Sequence, residues 1–263
     1  MRTLLVVGGG LFGSLAAACA RSQGIEVRVF DPGLPGAASP AAAGLFKEGW
    51  IGKKFRAYYD IAVPLLDRLF GLRQVTLAQD DGRVEQLFCV PPTAILDPAP
   101  CRERVSRVGD GWLEAGGIRY EGWIYVAAGV WCGELIPDVQ VYGKAGAAFL
   151  FEGERPGRIR PLAPGRQAIA FVRDRGITYF SDGTAERTYT DDHDRLTLER
   201  AAALGLTAAP IRRCWGRRPY TPGGPLFRPL GERTWLGTGG RKMGTIVGAA
   251  FAYRLVEELR NRR

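Results

Sequence analysis

Histidine is all but missing from this sequence: His193 is the single one in 263 residues. Chemistry that needs two imidazoles, one to take a proton and one to give it, has no material here. His193 itself lies in the run Asp191-Asp192-His193-Asp194, which reads as a solvated turn. Cysteine is sparse too. The five cysteines, Cys19, Cys89, Cys101, Cys132 and Cys214, contain no C-x-x-C pair, so no metal-ligand spacing is present. An odd number of scattered thiols predicts reduced cysteines in a cytoplasmic protein, most of them small buried hydrophobes. No apolar run approaches the roughly twenty residues that cross a bilayer, and the short one at the N-terminus breaks at glycines, unlike a signal peptide. Acidic residues are the minority, 27 against 36 basic, for a net charge of +9. That excess favours anionic partners, nucleic acid among them, and is equally met by a solvated arginine-rich surface around an anionic cofactor. Repeats, low-complexity linkers and recognisable nucleic-acid modules are all missing. The aromatic residues show no interleaving with basic ones along the chain.

What is present starts at once. Leu4, Leu5, Val6 and Val7 form an apolar run suited to a strand buried on both faces. It runs into Gly8-Gly9-Gly10-Leu11-Phe12-Gly13, in which Gly8, Gly10 and Gly13 fill a G-x-G-x-x-G pattern. The first glycine permits a tight turn, the second lets a pyrophosphate approach the backbone, and the third lets helix pack on strand. Residues 11–22 are rich in Ala and Leu and predict a helix that Gly24 ends. Its free N–H groups and positive dipole end would face phosphates. Ile25 to Phe30 predicts a second strand, and Asp31 closes it where a carboxylate can accept ribose hydroxyls. The same carboxylate would repel the extra phosphate of NADP.

Further along, residues 32–56 read as a long loop with one short helix. A helical face follows at Tyr58, Ile61, Ala62, Leu65, Leu66 and Leu69, with Pro64 expected to kink or bound it. Strands are predicted at 83–90, at a hairpin within 104–127 leading into Trp123–Ala127, at 147–151, 168–180 and 233–238. Helices are predicted at 191–206 and from Gly244 onward. The cluster Arg212-Arg213 and Arg217-Arg218 falls in what reads as an arginine-rich loop.

Several of these segments resemble those of FAD-dependent oxidoreductases related to D-amino-acid oxidase and glycine oxidase. Ile124-Tyr125-Val126-Ala127-Ala128-Gly129-Val130-Trp131 is similar to the family's second nucleotide-facing strand and turn. Gly216-Arg217-Arg218-Pro219-Tyr220-Thr221-Pro222-Gly223-Gly224-Pro225 resembles its G-x-R-P-x-T-P-D-G-x-P segment, with Gly223 in place of the Asp. Thr234–Gly244 resembles its closing strand, Gly-rich turn and helix start, and Gly36-Ala37-Ala38-Ser39 with Ala43-Gly44 its pyrophosphate loop.

The resemblance implies an α/β fold: a Rossmann-type FAD-binding domain interleaved with a small antiparallel-sheet substrate domain. It assigns 1–52, 100–138 and 226–263 to the first and 53–99 with 139–225 to the second. It implies FAD held by Gly8, Gly10, Leu11, Phe12, Gly13, Asp31, Ser39, Ala128 and Gly129. The turn Gly239-Gly240-Arg241-Lys242-Met243-Gly244 would present N–H groups to the flavin. Oxidation of the C–N bond of a glycine-like amine is the implied activity, with Arg218 clamping the substrate carboxylate through a guanidinium fork. Tyr179, Tyr189 and Tyr220 are candidates for the pocket wall, Tyr179 and Tyr220 being taken as the functional pair, whereas Trp50 and Trp131 read as packing residues. The region between Gly52 and Val84 leaves room for one helix where the family has several, which implies a more open site. That openness and the charge leave two alternatives: the same chemistry on an amino-acid-modified nucleobase, or a non-catalytic FAD-binding subunit of a larger complex. Self-association into a homo-oligomer stays open.

Overall fold

The computed structural model of the protein describes residues 3–164 and 166–262. Its first unit follows the predicted order: β1 (Leu4–Val7), α1 (Leu11–Arg21) and β2 (Val27–Phe30). A loop with three short 3-10 turns and the short strand β3 (Leu45–Phe46) leads to α2 (Arg56–Phe70). Next come β4 (Arg73–Ala78), β5 (Val84–Cys89) and the single-turn α3 (Pro92–Ile95). A meander of β6 (Val105–Gly109), β7 (Trp112–Ala115) and β8 (Ile118–Glu121) feeds β9 (Trp123–Val126) and the single-turn α4 (Cys132–Leu135). The strands β10 (Tyr142–Glu152), β11 (Arg158–Ala163), β12 (Arg166–Asp174) and β13 (Ile177–Ser181) precede α5 (Asp191–Ala202). The chain then runs through β14 (Arg212–Tyr220), β15 (Leu226–Pro229), β16 (Thr234–Thr238) and α6 (Gly244–Asn261).

Two large sheets result. One has the order β15-β16-β9-β1-β2, in which β16, β9, β1 and β2 are parallel and β15 is an antiparallel edge. Strands flanked on both sides and covered on both faces must be apolar throughout, and β1 and β9 are buried at every position. Leu4, Val6, Tyr125 and Trp235 point to one face, packed by α1, α2 and α6. Leu5, Val7, Ile124 and Leu236 point to the other, covered by Leu113 and Ala115 of the meander. Gly13 allows the closeness of α1 to the sheet, because a Cβ there would collide with the Gly8 carbonyl oxygen.

The second sheet is larger than the sequence suggested. Its order is β14-β10-β13-β12-β11-β4-β5-β3, antiparallel except for the β4–β11 pairing. The segment predicted as one strand at 168–180 is the hairpin β12–β13, turning at Gly176. The segment read as an arginine-rich loop is the nine-residue edge strand β14, in register with β10 from Tyr142↔Tyr220 to Leu150↔Arg212. Helix α2 passes through Pro64 and buries Tyr59, Ala62, Leu65 and Leu66. It packs with α6 in the core beneath the parallel sheet. Within the stretch 53–99 the helix joins the layer beneath the parallel sheet, and β4 and β5 join the other sheet. No helix among the described residues is long and apolar enough to cross a membrane. All five cysteines are free thiols, and all but Cys101 are buried.

Candidate active site

Three parallel strands end on one side of their sheet, and each end turns into a glycine-bearing loop. β1 runs into Gly8-Gly9-Gly10, β9 into Ala127-Ala128-Gly129, and β16 into Gly239-Gly240. Ligands of open parallel sheets bind outside these carboxyl ends. A cavity of about 960 Å³ opens there, and the second sheet forms its far wall through Ile169, Tyr179, Ser181 and Gly216 to Pro219.

At one end of this cavity stands the N-terminus of α1. Gly8 has φ of +99°, and a Cβ on it would lie 2.6 Å from the Ala127 carbonyl oxygen, so only glycine makes the turn. The N–H groups of Leu11, Phe12 and Gly13 precede the first intrahelical bond, which Ser14 makes to Gly10. Leu11 N–H donates to Ser39 Oγ at 2.8 Å, fixing the loop after β2 across the helix end. Asp31 accepts the Gly9 N–H through Oδ2 and the Gly33 N–H through Oδ1, both at 2.8 Å. It thus holds the glycine turn as well as facing the cavity, and each oxygen keeps a lone pair for another donor.

The 239–244 turn forms a second helix entrance, where α6 begins. Arg241 adopts φ of +51°, the one positive value for a non-glycine residue among those described. Its Nε is buried with no partner, while Nη2 donates to the Thr221 carbonyl at 3.4 Å. A left-handed backbone and an unpartnered buried donor together mark this helix entrance as a candidate binding position. Thr238 Oγ1 donates to the Gly129 carbonyl at 3.2 Å and ties this entrance to the turn after β9.

Arg218 reaches the same cavity from β14. Its Nη1 donates to the Thr184 carbonyl at 2.9 Å, and among the described residues it forms no ion pair. Thr184 is positioned in turn by Asp182, a fully buried carboxylate. Asp182 accepts from Thr184 N at 2.9 Å, from Arg166 at 3.1 Å, from Thr197 at 3.3 Å and from Arg200. Burial pushes its carboxyl up, but hydrogen bonds from Thr184 and Arg200 and the charge of Arg166 outweigh that and hold it below the usual carboxylate range. Burial also drives the Lys242 ammonium down, aided by the Arg218 and Arg166 charges, although much of that side chain still reaches solvent.

The predicted residues divide clearly. Gly8, Gly10, Leu11, Phe12, Asp31, Ser39, Ala128, Gly129, Gly240, Arg241, Lys242, Met243, Gly244, Tyr179 and Arg218 all line the one cavity. Gly13 lies beneath it at the helix–sheet contact, and Gly239 (φ of +80°) forms the turn against Thr221. Tyr220 stands outside the lining, stacked on Tyr142. Tyr179 is buried, which raises its phenol, and its hydroxyl donates to the Ala41 carbonyl at 2.9 Å. It therefore ties the 39–44 loop to the second sheet. Tyr189 donates to Asp194 at 2.9 Å on α5 instead. His193 caps α5, its Nδ1 3.1 Å from the Thr190 backbone nitrogen. Trp50 and Trp131, read as packing residues, both border the cavity. Asp182, Thr184 and Lys144 were not singled out by the sequence. The alternation Tyr142-x-Lys144-x-Gly146 opposite Gly216-x-Arg218-x-Tyr220 is the signal that could have found Lys144.

No protein-family model and no curated protein matches this sequence. Solved structures do match its fold over nearly the whole chain. An iminodiacetate oxidase from Chelativorans sp. BNC1 superposes with a TM-score of 0.74 at 17% identity, covering 98% of this chain and 95% of its own. A glycine oxidase from Bacillus cereus gives 0.75 at 14% identity, covering 100% and 98%. An L-amino acid deaminase from Proteus vulgaris gives 0.68 at 13%, covering 99% and 90%. The chain shares the fold of the iminodiacetate oxidase and glycine oxidase structures, a Rossmann-type layer interleaved with a second sheet, the architecture that the sequence resemblance implied.

Proposed function

We propose that the protein is a FAD-dependent oxidoreductase acting on the C–N bond of a glycine-like or N-substituted glycine amine. The observation that carries this reading is convergence. Two helix N-termini, the Asp31 carboxylate and the Arg218 guanidinium, contributed by both sheets, open on one cavity of about 960 Å³. Asp31 and the α1 N-terminus suit the ribose and pyrophosphate of FAD, and the 239–244 turn suits its ring. When bound, FAD supplies a hydride acceptor for the carbon beside the amine nitrogen. Arg218 would grip the substrate carboxylate with two parallel hydrogen bonds and so fix that carbon. Helix α6 directs its positive end toward negative charge growing at the far side of the cavity. The chain's part is orientation and electrostatics, which agrees with its single histidine serving as a helix cap. The imine released hydrolyses to an oxo acid and an amine.

Purified protein should show a flavin absorption spectrum, and the band should bleach anaerobically on adding glycine, sarcosine or a related N-substituted glycine. Arg218→Ala should retain the flavin and weaken substrate binding by about 2–5 kcal/mol. A polypeptide that stays colourless after reconstitution with FAD overturns the reading, and an unchanged substrate affinity in the variant removes Arg218 from it.

A further inference from the structure

The strand pair that carries Arg218 continues outward beyond the cavity. On one face of β10 and β14 the register stacks three rungs: Gly146 opposite Gly216, Lys144 opposite Arg218, and Tyr142 opposite Tyr220. The glycine rung lines the cavity, so the outer rungs lead from its mouth toward solvent. The rings of Tyr142 and Tyr220 stack with centroids 5.6 Å apart and planes 22° from parallel. Cations cover this pair. Lys144 Nζ lies 5.3 Å and the Arg241 guanidinium 5.4 Å from the Tyr220 centroid, and Arg187 lies 5.5 Å from that of Tyr142. Arg217, its neighbour on β14, projects from the opposite face of the pair, 5.2 Å from the Trp131 ring.

How these cations are held decides what they can do. Among the described residues none of Lys144, Arg187, Arg217, Arg218 and Arg241 forms an ion pair. An ion pair cancels a charge, whereas an aromatic face retains a cation and leaves its charge to act on a third group. The neighbouring acids do little to offset them. Glu134 is engaged by Arg104 at 2.9 Å and Asp182 is buried with Arg166 and Arg200, which leaves the exposed Glu186 carboxylate as a single charge beside these cations. Beside the rim lies a second hollow of about 490 Å³, bordered by Tyr142 and Pro222, and its wall shares Val130 and Glu134 with the main cavity. A free amino acid fills only the inner part of this surface.

We propose that the rim is a docking surface for single-stranded nucleic acid, with phosphates against Arg187 and Lys144 and a base against Tyr142. Charge complementarity selects this occupant: several uncancelled cations beside stacked aromatic rings are the groups that retain a strand without reading its sequence. Arg187 is exposed, so it can turn to a phosphate and leave the Tyr142 face to a base. The strand would carry its own amine to the cavity; that last step rests on the proposed oxidation, but binding does not.

The test is fluorescence anisotropy of a labelled fifteen-nucleotide RNA with the intact protein across a salt series. Binding should weaken with salt at a logarithmic slope of about −1.4, as for two neutralised phosphates. Arg187→Glu should weaken binding about tenfold and flatten the slope by about 0.7, with flavin content, Tm and amine-dependent bleaching unchanged. Lys144→Gln should weaken it about fivefold. Arg260→Glu, at the basic C-terminal helix, should leave it unaltered. Absence of binding at low salt overturns the proposal, as does equal loss in Arg260→Glu. So does competition by adenosine monophosphate or polyglutamate as effective as that by unlabelled RNA. Failure of amine oxidation with RNA binding intact would strike the proposed enzymology alone.

Discussion

Asp182 fixes the segment that holds Arg218, although it does not itself line the cavity. Its oxygens hold the Thr184 backbone, and the Thr184 carbonyl holds Arg218. Asp182→Asn leaves Arg166 and Arg200 without their anion and should cost about 2–3 kcal/mol, discounted because both guanidiniums reach solvent. At neutral pH its Tm should fall by about 4–10 °C. The pH dependence has a definite sign. The folded Asp182 carboxyl titrates below its ordinary range, so its contribution is complete above the unfolded value near 3.8 and disappears as pH falls through the folded one. Wild type should therefore lose Tm more steeply than Asp182→Asn on acidification below about pH 4, and parallel acid limbs would refute the role. Arg218 was legible in sequence through its Arg-Pro context, but Asp182 was not. A buried acid in Ser181-Asp182-Gly183 looks like any polar turn until the fold supplies two arginines from distant elements. Tyr179 was found for its position, and its hydroxyl proved committed to a loop carbonyl.

Elements were legible where one pattern dominates. The run β1-α1-β2 is marked by apolar residues, glycines and an acid in fixed order, and it fell as predicted. Strand β14 escaped because its buried positions are Cys214 and Gly216, small residues between arginines, with no β-branched or large apolar group to reveal alternation. Gly216 has a specific purpose. A Cβ there would meet the Ala37 carbonyl oxygen and Ala38 Cα at 2.5 Å, and Arg217 N donates to the Gly36 carbonyl at 2.8 Å alongside. The loop that leads to Ser39 thus lies directly on the strand that carries Arg218. Gly216→Ala should push the two apart, lowering flavin affinity at least tenfold while far-UV circular dichroism stays the same; wild-type flavin affinity in the variant would show that the contact is incidental. Pro64 does not bound α2, which continues from Arg56 to Phe70 with its buried side packed toward α6.

At the scale of the molecule, the interleaving was legible from segment order, because the resemblance placed matching pieces from residue 8 to residue 244. The size of the second sheet was not. Strand β14 sets arginines around Cys214 and Gly216, and β11 holds one buried apolar residue, Ile159, between two arginines and ahead of a proline, so neither carries enough apolar signal on its own. The chain passes from the parallel sheet to the second sheet after β2, returns at β9, departs at β10 and returns at β15. Neither sheet has a contiguous sequence, so both should unfold together. Urea transitions followed by tryptophan fluorescence, far-UV circular dichroism and flavin release should coincide, and separated midpoints would contradict this coupling. The order of assembly on the ribosome follows from the same threading. β16 pairs with β9, and α6 covers α1 and α2, so the nascent polypeptide cannot complete its parallel-sheet layer until residues 234–261 have emerged. Until then the apolar sides of its first two helices lack the cover that α6 supplies, which leaves them open to premature association during synthesis.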